Sequence, residues 1–212
     1  MIVKVIFVYI LIGIIIILLI TKILKLKFKS KNSVIIEQYY KDYDLPVKVE
    51  LIIEDIISYI PVHYLHGLNK IVITNSATLS HRKRRQKTWS RKKKYKISEC
   101  RGLYYGEKNG AWIKLFIDNI LDDAPKILLK IPFLRDSMLA PVIYHEIGHH
   151  IHKFIKPEYE EREDVADKWK SKFTNKLFYI KYWYLMPVLF VFAKIIKYYL
   201  KIKRFIKEKD SE

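Results

Sequence analysis

The sequence predicts an α+β domain carried behind an amino-terminal transmembrane helix, and three observations lead there. Val5 to Ile20 (VIFVYILIGIIIILLI) holds no charge. The short segments Lys70 to Thr74 and Ala111 to Asp118 have the composition and alternation of strands. Longer segments ending near Phe154 and Phe173 place apolar residues every fourth position, as helices with one buried side do.

The anchor comes first. At 1.5 Å per residue about twenty residues cross a bilayer core, so residues 1–21 are long enough, with Lys4 and Lys22 free to snorkel. Residues 18–32 (LLITKILKLKFKSKN) offer no small-x-small cleavage site, which favours a retained anchor over a cleaved signal peptide. Residues 22–32 then form a basic linker. Lys22, Lys25, Lys27, Lys29 and Lys31 outnumber Lys4 on the other flank. Cytoplasmic flanks hold the excess of Lys and Arg, so a single-pass protein with a cytoplasmic domain is expected.

Residues 33–176 form the expected domain. Val34 to Tyr43 and Glu50 to Ile60 read as helices, the second bounded by Pro46 and Pro61. Lys70 to Thr74 (KIVIT) reads as a strand. Leu103 to Tyr105 and Ala111 to Asp118 read as a hairpin, with Asn109-Gly110 supplying the positive φ of a tight turn. In AWIKLFID, Trp112, Lys114 and Phe116 share one face and Ile113, Leu115 and Ile117 the other. Ser137 is the expected cap of a helix that accepts Pro141 in its first turn and runs to about Phe154. A further helix is expected from Glu158 to about Phe173.

Charge and cysteine narrow the function classes. The net charge is +18, and residues 81–96 (HRKRRQKTWSRKKKYK) contain ten Lys/Arg and no acid. This run is expected as a loop, solvated or in contact with anionic lipid; nucleic acid is disfavoured, because only Trp89 and Tyr95 could stack on bases. A second basic run, 194–209, could also meet anionic lipid. Residues 177–212 are expected as an aromatic-rich interfacial segment with a basic tail, since the uncharged run Tyr182 to Ala193 is short and contains Pro187. Cys100 is the only cysteine. That excludes an intrachain disulfide and any structural zinc site built on two or more cysteines.

Tyr144 to His152 (YHEIGHHIH) carries the chemistry. Four residues apart on a helix, His145 and His149 can aim both imidazoles at one metal. Glu146, one position round, can reach a water on that metal and accept its proton. Leu139, Ile143, Ile147 and Ile151 form a separate apolar stripe, and Gly148 leaves space between the turns. His152 lies about 10 Å along the axis from His145 and overshoots the site. The position ten residues after His145 is Ile155, which excludes the metzincin pattern. The third ligand must then come from elsewhere, and the next helix offers Glu158, Glu160, Glu161, Glu163, Asp164 and Asp167. There Val165, Trp169 and Phe173 mark the core side, while Glu163, small Ala166 and Asp167 share another face. Glu163 is the expected ligand. Asp167 is the expected acceptor for the free ring N–H of His145.

HEIGH at 145–149 followed by EDVAD at 163–167 resembles the gluzincin pattern HExxH…ExxAD of the HtpX and CAAX-protease metallopeptidases, and of minimal single-domain gluzincins. The resemblance implies a zincin-like fold: a small sheet with an edge strand, an active-site helix and a second, ligand-bearing helix. It implies one Zn2+ per chain on His145, His149 and Glu163, with Glu146 as general base and Asp167 partnering a ligand histidine. The edge strand pairing with extended substrate would be Ala111 to Asp118. The oxyanion-stabilising group is left open among a tyrosine, His63 and His66. The expected function is a membrane-anchored zinc endopeptidase acting on membrane-associated proteins or peptides. The competing readings are an inactive zincin-fold binding module and a basic membrane- or nucleic-acid-binding protein with a chance HExxH.

Overall fold

The computed structural model describes residues 12, 15–16, 19–23, 33–90, 93–107, 110–157 and 162–185. The architecture is mixed α+β, with a small sheet and helices. It starts with a correction, because Ile35–Tyr39 (IIEQY) is strand β1 and not helix. In so short an apolar run the helical and strand periods both fit. The β-branched residues and the parallel pairing with β2, Ile36 opposite Ile71 and Gln38 opposite Ile73, decide it. Helix α1 (Val49–Ile57) falls where Glu50 to Ile60 was expected and buries Val49, Ile53, Ile56 and Ile57 completely.

Strand β2 (Leu68–Thr74) continues the sheet, and the basic run follows. It is ordered where a loop was expected: helix α2 (His81–Arg85), then β3 (Lys87–Ser90) paired antiparallel with β4 (Lys93–Lys96). Ser80 caps α2 by accepting a hydrogen bond from the Lys83 N–H. Next come β5 (Gly102–Glu107) and β6 (Gly110–Phe116) as the expected hairpin. Gly110 has φ +128°, a backbone only glycine adopts without strain; residues 108–109 lie outside the described ones.

The sheet order is β1-β2-β6-β5, with β1, β2 and β6 parallel and β5 antiparallel. The expected edge strand Ala111 to Asp118 is therefore interior, and Ile117 and Asp118 already belong to helix α3 (Ile117–Leu121). The edges are β1 and β5, and β5 takes the one beside β6 because the hairpin folds back on the outside of that strand. The alternation in β6 holds through Leu115: Ile113 and Leu115 are fully buried and Trp112 and Lys114 half-buried, whereas Phe116, on the latter face, is fully buried too. Trp112 stacks on its cross-strand partner Tyr105 at 4.0 Å with rings 9° apart.

Helix α4 (Pro132–His150) packs on β5, β6 and α1. It starts five residues before the expected cap, with Pro132 at its first position, where the missing N–H costs nothing. Ser137 is inside the helix, and its hydroxyl donates to the Leu134 carbonyl at 2.6 Å. Pro141 likewise sits in mid-helix. The apolar stripe Leu139, Ile143, Ile147 and Ile151 is fully buried, each side chain contributing roughly 1.5–3 kcal/mol. Tyr144 adds a buried hydrogen bond to the Ile56 carbonyl, 2.8 Å. The α-helix ends at His150 and widens into one π-turn, Ile151–Ile155.

Helix α5 (Arg162–Tyr182) is the second expected helix, extended past Phe173. Glu158, Glu160 and Glu161 lie outside the described residues. Val165, Trp169 and Phe173 are buried as expected. Where α5 crosses α4, a Cβ added to Gly148 would lie 2.8 Å from both the α-carbon and the carbonyl oxygen of Ala166. The two backbones touch there.

By contacts the chain forms two compact units, residues 26–177 and residues 1–25 with 178–212. In the second unit the described amino-terminal residues (12, 15–16, 19–23) are helical, with Ile12, Ile15, Ile16 and Leu19 exposed. No helix among the described residues is long and apolar enough to cross a membrane. Most of the expected anchor, the linker 22–32 beyond Ile23 and the segment after Leu185 lie outside the described residues.

Gly148→Ala tests the helix crossing. Alanine gains about 1 kcal/mol of helix propensity, but overpacking against backbone costs typically 1–3 kcal/mol. A net loss of stability is expected as a lowered urea midpoint, and an unchanged or raised midpoint would show that the helices part freely.

Candidate metal centre and cleft

The Gly148–Ala166 contact sets the site. His145 stands three positions before Gly148 and His149 one after it on α4, and Glu163 lies three residues before Ala166 on α5. One donor atom from each of His145, His149 and Glu163 falls within 4.8 Å of the others. His145 Nε2 lies 3.5 Å from one Glu163 carboxylate oxygen and His149 Nε2 lies 3.6 Å from the other. These separations are too long for good hydrogen bonds. They suit donors sharing a small cation, since tetrahedral bonds of 2.0–2.1 Å put donor atoms roughly 3.3 Å apart. Two imidazoles and a carboxylate are also a catalytic zinc donor set, and they fit.

The outer partners differ between the two histidines. Asp167 Oδ1 lies 3.0 Å from His145 Nδ1, and a carboxylate can only accept. The proton therefore sits on Nδ1 and leaves Nε2 free to ligate, as the sequence reading expected. Lys170 Nζ holds the same Asp167 oxygen at 2.7 Å. His149 is arranged the other way: Arg162 Nε–H donates to its Nδ1 at 3.3 Å. A guanidinium cannot accept, so this contact puts the neutral ring's proton on Nε2, the atom that faces Glu163. Ligation through Nε2 requires Arg162 to leave Nδ1. Burial, then His145 and Arg162, hold His149 well below the usual imidazole range, so the ring is uncharged at neutral pH.

Glu146 lies beside this triad, almost fully buried. Burial, then the Glu163 charge, raise its pKa to about 8, against the pull of Arg162 and a hydrogen bond from the Tyr104 backbone N–H. That N–H projects from the free edge of β5, and Lys153 Nζ donates to the Gly106 carbonyl on the same edge at 2.7 Å. Gly102, two residues before Tyr104, is pressed against Glu146: an added Cβ would lie 2.7 Å from both Cγ and Oε1. The edge strand thus braces the carboxylate.

These groups line a cleft of about 540 Å³, together with Tyr95, Thr88, Cys100, Arg101 and Pro141. Cys100 is no nucleophile, because burial, then Glu146 and Glu99, push its thiol up to about 11. His63 and His66 do not line the cleft. His63 stacks on Tyr64 at 4.0 Å, and the His66 carbonyl accepts from His150 Nε2 at 3.0 Å. The polar groups placed near the triad instead are Arg162 and Tyr104, whose ring lies 6.0 Å from the guanidinium. Sequence reasoning missed both, and missed Gly102. A signal existed for the strand, since glycine at 102 and 106 within six residues marks close approach by another group.

No protein-family model, curated protein or solved structure matches the chain. The site's reading rests on its own geometry.

Two variants probe it. Arg162→Gln replaces a group that can only donate with one that can accept from a protonated Nδ1, so zinc should bind roughly tenfold more tightly, as one charge-assisted contact is worth. Chelator competition measures this, and weaker binding would make Arg162 a support of the ligand. Asp167→Asn should cost about 10- to 100-fold in zinc affinity by loosening His145, read by the same competition.

Proposed function

We propose that the chain is a zinc-dependent endopeptidase of the HExxH type, resembling the gluzincins and built on a zincin-like domain. The observation that carries this reading is the convergence of His145, His149 and the Glu163 carboxylate at ligand spacing, with the Glu146 carboxylate beside them in a cleft. A lone HExxH is a moderate signal, whereas a third donor arriving from another helix at 3.5 and 3.6 Å is hard to obtain by chance. The membrane tether and cytoplasmic orientation rest on the uncharged run Val5 to Ile20 and its lysine flanks.

Zinc, when bound, supplies Lewis-acid chemistry that acidifies water and polarises a carbonyl. The chain's own groups do the rest. Glu146 accepts a proton from the attacking water and returns it to the leaving amine. Its raised pKa suits that double duty, and a divalent cation at the triad would pull it back down. The outward-facing backbone of β5 at Gly102, beside the Tyr104 N–H that Glu146 holds, offers hydrogen bonds to an extended peptide, a role first expected of Ala111 to Asp118. Arg162, once free of His149, is a cleft cation available to the charge that develops on the scissile carbonyl.

The test is a set of variants with two readouts. About one zinc per chain is expected, as a site of this type holds, and His149→Ala and Glu163→Ala should each lose most of it. Glu146→Gln should keep zinc and melting behaviour while hydrolysis of unfolded casein falls at least about a hundredfold, the contribution of a general base. Near-wild-type turnover in that variant would remove Glu146 from its role and favour a binding module.

A further inference from the structure

The basic run and the candidate metal site are separated by some fifty residues of sequence, yet they share one wall. Thr88 and Tyr95, directly opposite each other across the β3–β4 hairpin, both line the cleft that contains His145, Glu146, His149 and Glu163. Side chains alternate across a ribbon, so Lys93 lies on the same face as Tyr95, toward the cleft, while Lys87, Lys94 and Lys96 lie on the other. A β-layer with its side chains is about 10 Å thick, comparable with the screening length of about 8 Å in physiological salt, so the Lys93 face acts on the cleft directly and the Lys87 face in attenuated form.

We propose that this hairpin is the substrate-selecting wall of the cleft and favours acidic polypeptide on the Gly102 side of the scissile bond. The proposal rests on the peptidase reading above and adds a substrate class to it. Little in the structure neutralises the wall. Glu99, the nearest acid in sequence, is occupied by Lys96 at 3.1 Å. Arg82, Arg85 and Lys93 have no carboxylate partner among the described residues, and Lys87 meets only the charge of Glu99, which Lys96 already holds. The floor differs: Glu163 and Asp167 offset Arg162 and Lys170, and Arg101 pairs with Asp123 at 3.7 Å. Selection by charge therefore acts on the residues flanking the reaction, not on the scissile pair. The wall's apolar contribution is Tyr95, exposed and able to lie along a peptide backbone. Anionic lipid is the other polyanion such a hairpin could meet, but a lipid surface has no need of a hairpin that closes one side of a cleft.

The experiment uses the full chain in neutral detergent, zinc-loaded and carrying Glu146→Gln to stop turnover. The probes are fluorescein-labelled peptides of equal length, one rich in Asp and Glu and one rich in Lys and Arg, followed by anisotropy at two salt concentrations. The acidic probe should bind at least about tenfold more tightly, with the gap shrinking at high salt. Adding Lys87→Glu and Lys93→Glu should close the gap while zinc content, the check on folding, stays constant. Equal affinity for the two probes overturns the proposal. So does a charge-reversed hairpin that keeps its preference for the acidic probe but loses flotation with phosphatidylserine vesicles, which would give the hairpin to the membrane. Charge preference with no cleavage of either probe by the wild-type chain sustains acidic recognition and removes the peptidase reading. Cleavage of both probes without preference does the reverse.

Discussion

The contact between Gly148 and Ala166 is the constraint on which the site depends. Helix axes normally stay 8–10 Å apart because side chains hold them there. Here an added Cβ would strike the backbone of the other helix at 2.8 Å, so α4 and α5 meet with almost nothing between them. Only that approach brings a glutamate on one helix to within 3.5 and 3.6 Å of two imidazoles on the other. The buried stripes on each helix, Leu139, Ile143, Ile147 and Ile151 on one and Val165, Trp169 and Phe173 on the other, tie both to the core, and Tyr144 meets Phe173 across the pair with ring centroids 5.7 Å apart. The hydrophobic residues supply the binding energy between helices, and the small residues decide its distance.

A second close approach works the same way on the other side of α4. Gly102 lets the edge strand β5 come against Glu146, and the Tyr104 N–H then faces the carboxylate. A buried carboxylate with one hydrogen bond and a negative neighbour is held near neutrality, which is poised for moving a proton. Arg162 couples this carboxylate to the triad, since it lowers the proton affinity of both Glu146 and His149. Its hydrogen bond to His149 is incompatible with the tautomer that ligation of a metal would need, so in the proposed site metal binding and the position of this one cation would be linked.

The hairpin β3–β4 gives the net charge of +18 a local meaning. Most of a basic surface serves solubility or nonspecific attraction. The part of it that closes a cleft can bias what enters, because a groove between low-dielectric walls focuses the field.

The amino-acid sequence by itself determined the local features: α1, β2, the β5–β6 hairpin, the buried stripes of α4 and α5, and the four groups His145, Glu146, His149 and Glu163 with Asp167. Each is written in spacing along one element, where the period of a helix or strand converts sequence separation directly into direction. What only the tertiary structure decided was everything that depends on a partner distant in the chain. β1 became a strand because β2 was there to pair with it, although its own residues fit either period. β6 became interior and β5 the edge, since strand order is set by how the hairpin folds back and not by the composition of either strand. The cap at Ser137 failed because Pro132 could start α4 earlier, and local capping rules do not choose between two permitted starts. Arg162, Tyr104 and Gly102 act on the site across gaps of 13 to 44 residues, through contacts that no periodicity records. Periodicity describes one element at a time; the cleft is a relation among several.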